Sequence, residues 1–472
     1  MRLCVPIAEK DAAAVSKACS DAVNQGADMI ELRLDLMEAL ALPPIPSVPT
    51  IATLRDADQG GRWKGRRTEK EALLREALAK GCALVDLEES HAGLDIHPRI
   101  LSHHDFGGAP RAEEIVAKLN ALSAQAEVAK AAYHCDTAAE ASEVFRAGQE
   151  FAASGKRFVL VGMGEAGKIT RVRHVRLGSE FTFSALEEGK EVAPGQFPLA
   201  RLRQLGDECL VTGIIGWPLG HSVSPPMHEA ALKAAKVNGI YLRLLTRPGE
   251  VAQVCDLARR ADMRGFNVTI PHKEEVMKYL DRLDPAAESI GAVNTVVNNG
   301  RALIGHNTDV EGIRASFAYH KTMVRNRHAL ILGAGGAAKA AAYALAEAGA
   351  KIDFLNRDRS RAEAIAPAYR SSVVDVAEPI YDIIVNCTPL GMKGQEQTLP
   401  IAEEVVRASS FVMDMVYNPP VTPLMRMAMK EGVAHANGRR MLVAQAAEAF
   451  KLWTGKSADE IVMNKAFAEA MK

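Results

Sequence analysis

The sequence predicts an α/β protein of more than one domain, on three observations. The chain has 472 residues, a length that ordinarily folds as about two to four domains. Short apolar runs alternate with Ala-rich amphipathic stretches through residues 1–206, which is typical of parallel βα units. A strand, a glycine-rich turn and a helix follow from Ala329 in ALILGAGGAAKAAAYALAEAG, which is typical of a doubly wound nucleotide-binding domain.

Composition argues against several classes of protein. Lys and Arg number 57 against 58 for Asp and Glu, so no charge excess favours nucleic acid or an anionic membrane as partner. The seven cysteines are scattered and form no CxxC pair, which predicts neither a disulfide framework nor a zinc site and suits a reducing cytoplasm. No apolar run approaches the roughly 18 residues of a membrane span, and MRLCVPIAEKD lacks a signal peptide's apolar core. We expect a cytoplasmic protein and leave its oligomeric state open.

Eight apolar runs in residues 1–206 predict the strands of a closed (β/α)8 barrel. They are RLCVPIA, MIELRLD, TIATLRD, ALVDLEE, RILSHHD, EVAKAAY, RFVLVGMG and EFTFSAL. Helical patterns follow the first, third, fifth and sixth runs, in DAAAVSKACSDAVNQG, EKEALLREALAKG, RAEEIVAKLNALSAQ and TAAEASEVFRAGQEFAASG. After the fourth run, ESHAGLDIHPR is too broken by Pro and Gly to form a helix. One βα unit is therefore predicted to be trimmed, in a barrel of short total length.

The predicted domain boundaries follow from the next elements. PLARLRQLG predicts a last barrel helix that ends at Gly206, after which CLVTGIIGWPLGHSVSPP begins with a new strand. We expect a barrel domain over 1–206, and an α/β domain over 207–308 that is completed by C-terminal helices over 438–472. A doubly wound domain is expected over 309–437.

The glycine-rich turn has the spacing of a dinucleotide fingerprint. Gly333 permits a tight turn, Gly335 allows backbone to approach a pyrophosphate, and Ala338 allows close helix packing. A glycine turn alone also occurs without a nucleotide, but the flanking strand and helix favour one. The predicted phosphate contacts are Gly333, Ala334, Gly335, Gly336 and Ala337.

The next strand, in KIDFLNRDRSR, indicates which dinucleotide is bound. Asn356 is followed by Arg357 and Arg361, where NAD sites commonly place an acid against the ribose. The two arginines suit a 2′-phosphate and favour NADP. The negative charge of Asp358 would repel a 2′-phosphate and so opposes this preference. Alternatively, these charged side chains form the solvent-exposed start of a helix and bind no nucleotide.

An isolated lysine and a histidine pair mark the first half. Lys130 stands among alanines and a valine in AEVAKAAYHC, where lost hydration would favour a neutral, nucleophilic amine. The alternative is a lysine at the solvent-exposed end of a strand. In LSHHDFGGAP, His103 and His104 could be considered for a metal with Asp105, but adjacent strand residues point to opposite faces. One catalytic histidine is the better interpretation.

Residues 1–205 resemble type I 3-dehydroquinate dehydratases. The resemblance is carried by ELRLD, TLR with a following Gly-Gly, SHHDF, the isolated lysine, ITR and APGQF. It implies a TIM barrel in which Lys130 forms a Schiff base, His104 is the general acid and base, and neither metal nor external cofactor is needed. It further implies substrate contacts at Glu31, Arg33, Arg55, Arg171 and Gln196. Two residues depart from the family pattern: Gln59 replaces an acid and Val192 replaces a serine.

Residues 208–472 resemble shikimate dehydrogenases. The motifs are GWPLGHSVSPPMHEAAL, RGFNVTIPHKEE, SIGAVNTVV, GHNTDVEGI, VNCTPLGM, MDMVYNPPVTPL and NGRRMLVAQAAEAF. The resemblance implies that Lys273 and Asp309 are the catalytic pair and that NADP is the cofactor. It places substrate contacts at Ser222, Ser224, Asn267, Thr269, Asn294, Tyr417 and Gln445, and nicotinamide contacts at Gly438 and Met441. Arg439 and Arg440 depart from the small residues common there.

Single motifs of this half also have structural explanations. Ser224 before Pro225 could cap a helix, Thr308 and Glu311 could form a capping box, and Lys273 could be a surface lysine.

The two resemblances support each other, because the first reaction yields the second reaction's substrate. Dehydration of 3-dehydroquinate gives 3-dehydroshikimate, which the second half would reduce to shikimate. We therefore expect a bifunctional enzyme whose partners are small-molecule substrates. Two alternatives stay open at this point: a non-catalytic ligand-sensing regulator, and an NAD-dependent quinate dehydrogenase in the second half.

Overall fold

The chain divides into two compact units. The structure is a computed structural model that describes residues 1–38, 42–220, 222–398 and 401–472. The first unit comprises Met1–Thr212 and Asn238–Met263, and the second comprises Gly213–Val237 and Arg264–Lys472. Within these residues, no helix is both long enough and apolar enough to cross a membrane.

An eight-stranded parallel barrel forms most of the first unit. Its strands are β1 (Leu3–Ile7), β2 (Met29–Arg33), β3 (Thr50–Thr53), β4 (Leu84–Glu88), β5 (Arg99–Asp105), β6 (Val128–His134), β7 (Phe158–Met163) and β8 (Thr182–Phe183). Each falls in one of the eight predicted runs, and the order is β7-β6-β5-β4-β3-β2-β1-β8. Between β7 and β8, the N–H of Glu180 donates to the carbonyl of Phe158 at 2.9 Å. The predicted barrel is confirmed and is nearly closed.

Five of the seven barrel helices fall in predicted helical patterns, whereas the two between β7 and β8 were not predicted. The seven are α1 (Ala12–Asn24), α2 (Arg67–Ala79), α3 (Ala112–Ser123), α4 (Ala138–Ala152), α5 (Gly164–Val172), α6 (His174–Leu177) and α7 (Leu199–Leu205). A 3-10 turn at Glu89–His91 replaces the helix between β4 and β5, which confirms the trimmed unit. A second connection, between β2 and β3, contains only the 3-10 turn Leu34–Leu36 among its described residues. The sequence analysis missed it, although four prolines in LPPIPSVP prevent a helix there.

Residues beyond the barrel complete the first unit. Strand β9 (Leu210–Gly216) begins in this unit, and α8 (Ser224–Ala234) belongs to the second unit. Strand β10 (Gly239–Leu245) and α9 (Val251–Arg260) belong to the first unit. The buried guanidinium of Arg173 donates to the carbonyls of Cys209 at 2.7 Å and Ala261 at 3.0 Å. This buried arginine, which the barrel supplies, ties Asn238–Met263 to the first unit, although the sequence pattern placed that segment within 207–308.

A mixed sheet with flanking helices opens the second unit. Its elements after Met263 are β11 (Gly265–Val268), β12 (Arg282–Leu283), α10 (Pro285–Ile290), β13 (Thr295–Asn298), β14 (Leu303–His306) and α11 (Asp309–Tyr319). Strand β13 pairs antiparallel with β11 and β14, while β12 pairs parallel with β14.

A doubly wound parallel sheet follows. Its elements are β15 (His328–Leu332), α12 (Gly336–Glu347), β16 (Lys351–Leu355), α13 (Arg359–Ile365), β17 (Ser372–Val373), β18 (Ile383–Asn386), α14 (Glu403–Ala408), β19 (Phe411–Asp414), α15 (Pro423–Lys430) and β20 (Ala434–Ala436). The order β17-β16-β15-β18-β19-β20 reverses between β15 and β18, where ligands of such sheets bind. Two more helices, α16 (Arg439–Thr454) and α17 (Glu460–Ala470), end the chain.

Gly265, the first residue of β11, has no room for a side chain. Its φ is +156°, and a Cβ would overlap the carbonyl oxygen of Val296 and the indole nitrogen of Trp453. That indole donates to the same carbonyl at 3.0 Å. We expect Gly265→Ala to lower the free energy of unfolding of the second unit by about 3 kcal/mol, as measured by urea unfolding.

Gly300 supplies the matched control for this substitution. It also has a positive φ, +82°, but no atom lies within 4 Å of its hypothetical Cβ. Gly300→Ala should therefore cost about 1 kcal/mol, from backbone strain alone. Equal losses in the two variants would contradict the steric explanation.

Two candidate active sites

A cavity at the carboxyl ends of the barrel strands collects the predicted dehydration residues. It offers about 700 Å³ of empty space, including its opening to solvent. All seven predicted side chains line it: Glu31, Arg33, Arg55, His104, Lys130, Arg171 and Gln196. Gln59 and Val192, the two departures from the family pattern, line it as well.

The amine of Lys130, on β6, contacts carboxylates rather than an apolar pocket. Its Nζ donates to Asp86 Oδ2 at 2.7 Å and lies 4.0 Å from Glu31 Oε1. The amine also lies 4.6 Å from the centroid of the Phe183 ring. The expected surroundings of alanine and valine are thus wrong for the amine, because strands β2 and β4 bring carboxylates against it. The two carboxylates therefore fix the position of the side-chain nitrogen of Lys130 in the cavity.

Asp86 on β4 is a functional candidate that the sequence analysis missed. Besides Lys130, it accepts a hydrogen bond from Arg55 Nη2 at 2.8 Å. Burial alone would raise the pKa of Asp86, but Arg55 and Lys130 lower it below its ordinary value. Asp86 is therefore a carboxylate at neutral pH. The available signal was an aspartate in the middle of an apolar strand, in ALVDLEE.

His104 has the protonation state that a general base requires. Burial lowers its pKa well below the ordinary value, and Arg55 and Lys130 lower it further. A neutral imidazole therefore faces the cavity at pH 7, and its Nδ1 is buried without a hydrogen-bond partner among the described residues. His103 packs instead 5.7 Å from the Tyr133 ring and 3.4 Å from Glu89. The two histidines are separated, as the strand alternation predicts.

Arg171 is a buried cation without a counter-ion in the described part of the chain. Its side chain is 1% exposed. Its guanidinium donates only to the carbonyls of Phe183 and Pro194, each at 3.3 Å. Burial lowers the pKa of Arg171 to about 10. A buried and uncompensated guanidinium at the edge of a cavity is a strong attractor for a ligand carboxylate.

The second candidate site centres on a lysine–aspartate pair. Lys273, in the loop after β11, donates to Asp309 Oδ2 at 2.5 Å. Asp309 begins α11, and its other oxygen accepts from Asn294 Nδ2 at 2.9 Å. The surface explanation of Lys273 is wrong, because its side chain is only 19% exposed and is paired.

A hydrogen-bond network extends from this pair. Asn294 Nδ2 lies 3.3 Å from Gln445 Oε1, and Thr308 Oγ1 lies 3.4 Å from the same oxygen. Asn267 Nδ2 donates to Thr295 Oγ1 at 3.0 Å. The capping-box explanation of Thr308 is wrong, because its hydroxyl caps no helix N–H and bonds Asn294 and Gln445 instead. Three predicted substrate contacts, Asn267, Asn294 and Gln445, thus belong to one network.

His228 is a further residue that the sequence analysis missed. Burial lowers its pKa to about 3, so that it is neutral at pH 7, and it hydrogen-bonds the side chain of Asn267. Its ring lies 5.3 Å from that of Trp453. The apolar context of the motif SPPMHEAAL was the available signal.

The remaining predicted substrate contacts lie at strand ends. Thr269 follows β11, and its N–H donates to Ile215, near the end of β9, at 3.0 Å. Ser222 lies in the segment between β9 and α8. Helix α8 begins at Ser224 itself, and Val223 occupies the capping position, so the capping explanation of Ser224 is also wrong. Tyr417 follows β19 and packs 5.6 Å from the Phe467 ring.

The glycine-rich turn after β15 fits a dinucleotide. Gly333 has φ +108°, and Gly335 precedes α12 with open space where a Cβ would be. Among the described residues, no side chain caps α12, so its first N–H groups are free of such acceptors and can meet phosphate. A Cβ on Gly336 would lie 3.3 Å from Lys273 Cδ, which places the turn beside the lysine–aspartate pair. Ala334 is buried beneath the turn.

The end of β16 offers two cations for a 2′-phosphate. Arg357 and Arg361 form no salt bridge within the described ranges, whereas Arg359 pairs with Glu363 at 2.7 Å and Asp375 at 2.6 Å. Asn356 Nδ2 donates to the carbonyl of Asp358 at 2.7 Å and closes the turn. The residues present therefore fit NADP.

The turn before α16 explains two other departures from the family pattern. A Cβ on Gly438 would overlap the carbonyl oxygen of Met415, so that only glycine fits. Arg439 donates to Asn464 Oδ1 at 2.7 Å, and Arg440 pairs with Glu460. Both arginines are therefore held by the α17 region. Met441, the predicted nicotinamide contact, is buried.

Comparisons with known proteins match both halves of the chain. The family model for type I 3-dehydroquinase matches residues 3–207. The shikimate dehydrogenase substrate binding domain matches 214–296, and the shikimate 5'-dehydrogenase C-terminal domain matches 438–466. A shikimate dehydrogenase (NADP(+)) from Caldanaerobacter subterraneus subsp. tengcongensis is 42% identical over 261 residues, which are 53% of this chain and 93% of that protein.

Similarity extends to a solved structure and to a relative that spans both units. The crystal structure of shikimate 5-dehydrogenase from Thermus thermophilus in complex with NADP(H) and shikimate is 35% identical, with a TM-score of 0.52. It covers 55% of this chain and 99% of that one. The chloroplastic bifunctional 3-dehydroquinate dehydratase/shikimate dehydrogenase of Arabidopsis thaliana is 30% identical over 501 residues, covering 96% of this chain and 82% of the relative. The chain therefore belongs to the family of bifunctional 3-dehydroquinate dehydratase/shikimate dehydrogenases.

Proposed function

We propose that this chain catalyses two consecutive reactions on small-molecule substrates. The barrel dehydrates 3-dehydroquinate to 3-dehydroshikimate, and the second unit reduces 3-dehydroshikimate to shikimate with NADPH. The observation that carries this proposal is the pairing of reactive groups. Lys130 and neutral His104 face one cavity, and Lys273 with Asp309 lies beside the nucleotide turn. A sensor without turnover has no need of either pair.

In the barrel, Lys130 supplies the nucleophile and Arg171 the substrate anchor. The neutral amine of Lys130 adds to the substrate ketone, and loss of water gives a protonated imine. The imine draws electrons from the adjacent C–H bond, and the imidazole of His104 accepts that proton. The resulting enamine expels the β-hydroxyl group, which leaves as water with a proton from His104. Hydrolysis of the imine then frees Lys130 and the product.

Asp86 and the remaining lining residues set the position of these groups. Asp86 holds the amine of Lys130 between strands β4 and β6 at 2.7 Å. The guanidinium of Arg171 binds the substrate carboxylate, for which it has no competing counter-ion among the described residues. Glu31, Arg33, Arg55 and Gln196 face the hydroxyls and carboxylate from the same cavity.

In the second unit, Lys273 acts on the substrate oxygen and Asp309 orients Lys273. Bound NADPH supplies the hydride that reduces the ketone. The ammonium of Lys273 neutralises and protonates the oxygen on which charge develops. Asp309 fixes that ammonium at 2.5 Å, while Asn294 fixes Asp309 at 2.9 Å. Ser222 and Ser224 bind the carboxylate, and Asn267, Thr269, Asn294 and Gln445 bind the ring hydroxyls.

Domain assignments follow from these roles. The dehydratase barrel spans 1–206, the substrate domain spans 207–308 with 438–472, and the NADP-binding domain spans 309–437. The family matches over 3–207, 214–296 and 438–466 support the barrel and the two parts of the substrate domain. Gly438, Met441 and Tyr417 border the nicotinamide in this assignment.

Trapping with borohydride tests the dehydratase assignment directly. Sodium borohydride added with 3-dehydroquinate should reduce the imine and leave a covalent mass increase on the peptide that contains Lys130. The same protein given 3-dehydroquinate and NADPH should consume NADPH, as followed by absorbance. Absence of both the adduct and NADPH consumption would favour a ligand-sensing regulator instead. Consumption of NADH in preference to NADPH would favour the quinate alternative.

Arg361 is expected to determine the choice of cofactor. Arg361→Ser removes one unpaired cation from the proposed 2′-phosphate site, so the KM for NADPH should rise about tenfold. The KM for NADH should stay unchanged, because NADH lacks that phosphate. Arg359→Ser is the matched control, since Arg359 is already paired with Glu363 and Asp375. An equal rise in both variants, or for both cofactors, would contradict the assignment.

A further inference from the structure

Lys70 is a buried lysine that the proposed chemistry does not use. It lies on α2, and its side chain is 0% exposed. Its ammonium donates to Asp56 Oδ1 at 2.9 Å and to Glu88 Oε2 at 2.5 Å. Burying an ammonium is unfavourable unless carboxylates compensate it. Its retention inside the barrel unit therefore indicates that the two acids require a cation at this place.

The same carboxylates hold the start of the loop after β3. Glu88 Oε1 accepts from the N–H of Asp56 at 2.9 Å and lies 3.4 Å from Arg55 Nη1. His91 Nε2 lies 2.7 Å from Asp56 Oδ2. Ligand atoms of Asp56, Glu88 and His91 lie within 4.8 Å of one another, a spacing that suits a cation. Lys70 bonds two of these three residues and is the cation of the cluster.

Arg55 links this cluster to the amine of the dehydratase site. Its Nη2 donates to Asp86 Oδ2 at 2.8 Å, and the same oxygen accepts from Lys130 Nζ at 2.7 Å. Charge therefore alternates in sign along Lys70, Glu88, Arg55, Asp86 and Lys130. Each ion is held by neighbours of opposite sign, so removing the terminal cation changes how strongly Glu88 attracts Arg55.

We propose that Lys70 is a positioning residue for the dehydratase reaction, acting through Glu88 and Arg55 on Asp86. With Lys70 present, Glu88 is satisfied and Arg55 stays on Asp86, which is then shared between Arg55 and Lys130. Without Lys70, Glu88 draws Arg55 away, and Asp86 binds the Lys130 ammonium more tightly. The expected loss of dehydration rate rests on the proposed function, whereas the tighter binding of the Lys130 ammonium by Asp86 does not.

The other charged groups around Lys130 do not reproduce this effect. Glu31 on β2 lies 4.0 Å from the amine and accepts a hydrogen bond from Thr53 Oγ1 at 2.7 Å. His104 on β5 is neutral at pH 7, because burial lowers its pKa. Among these neighbours, Arg55 alone bonds both Asp86 and Glu88, so that it transmits the charge at position 70.

Competitive acetylation tests the proposal without requiring turnover. The rate at which acetic anhydride modifies Lys130, followed by peptide mass spectrometry between about pH 6 and pH 11, reports the pH at which the amine is half deprotonated. We expect Lys70→Met to raise this midpoint by about one pH unit. Lys70→Arg keeps the cation and should keep the parent midpoint. Lys80→Met, a change at an exposed lysine paired with Glu76, is the matched control and should have no effect.

A double variant separates charge from packing. In Lys70→Met with Glu88→Gln, the neutral amide no longer draws Arg55 away, so the midpoint should return to the parent value. Lys70→Gln keeps a hydrogen-bond donor but no charge, and it should raise the midpoint by the same amount as Lys70→Met. If Lys70→Met fails to fold, Lys70→Gln is used in its place. The proposal is overturned if the Lys130 midpoint is unchanged in both Lys70→Met and Lys70→Gln. It is also overturned if the double variant has the same raised midpoint as Lys70→Met. Either result leaves Lys70 a packing residue.

Dehydration assays on the same samples distinguish the two proposals. At neutral pH, Lys70→Met should dehydrate 3-dehydroquinate about tenfold more slowly than the parent, since about tenfold less Lys130 is deprotonated. The double variant should recover the parent rate. A parent protein that shows the expected acetylation midpoints but does not dehydrate 3-dehydroquinate contradicts the proposed function and leaves the role of Lys70 standing.

Discussion

Lys130→Met is expected to lower the kcat for dehydration of 3-dehydroquinate at least about 1,000-fold, because no other amine can form the imine. Among the lining residues of the barrel cavity, Lys130 is the only lysine. Methionine keeps the length of the side chain and leaves the barrel packing nearly intact. Product formation from 3-dehydroquinate, followed by absorbance, measures the loss. Reduction of added 3-dehydroshikimate by the same sample should proceed at the parent rate.

Lys80→Met controls for the loss of one positive charge from the first unit. Lys80 is exposed and pairs with Glu76 at 2.7 Å, far along α2 from the buried end of Lys70. Neither activity should change in this variant. Simultaneous loss of both activities in Lys130→Met would show that the two sites do not work independently, and would contradict the division of labour proposed above.

Lys273→Met is expected to lower the kcat for reduction of 3-dehydroshikimate by about 100- to 10,000-fold, because the oxygen that receives charge loses its proton donor. Asp309→Asn should cause a loss of similar size, since the carboxylate that orients the ammonium at 2.5 Å is gone. The double variant should be no slower than Lys273→Met alone, because Asp309 acts through Lys273. Consumption of NADPH with 3-dehydroshikimate measures all three.

Glu311→Gln is the matched control for the loss of a carboxylate on α11. Glu311 lies two residues after Asp309, is half exposed and pairs with Arg314 at 2.5 Å. Its kcat for reduction should equal that of the parent. Losses that multiply in the Lys273 and Asp309 double variant would contradict a shared role and would indicate two separate contributions. Dehydration by the barrel should stay unchanged throughout.

Local sequence patterns were sufficient to predict most of the fold. Each barrel strand is a run of apolar residues a few positions long, and helical periodicity separates most of them. The nucleotide turn was also predictable from the sequence, because Gly333 has a positive φ, which glycine adopts most readily, and the turn stands between a strand and a helix. The second shortened barrel connection was not predicted, although its four prolines are a local signal that excludes a helix.

The candidate sites were predicted in part. Lys130 is in register with Ser102, and His104 lies two residues after Ser102, so strand alternation puts both side chains in the same phase, toward the barrel interior. The partner of Lys130 was not predictable in this way. Asp86 lies 44 residues away in the chain, and the registers of β4, β5 and β6 bring the two side chains together at 2.7 Å. Likewise, the role of Thr308 depends on Gln445, which lies 137 residues away.

The sequence by itself determined the fold class, the reactive residue types and the order of the domains, because periodicity, turn chemistry and short motifs act over a few residues. Only the tertiary structure decided the charge environment of each reactive group. Lys130 is paired, Arg171 lacks a counter-ion among the described residues, and Lys70 is buried between two acids. These outcomes depend on which distant strands meet and how much water they exclude, and Coulomb interactions follow distances in space rather than along the chain.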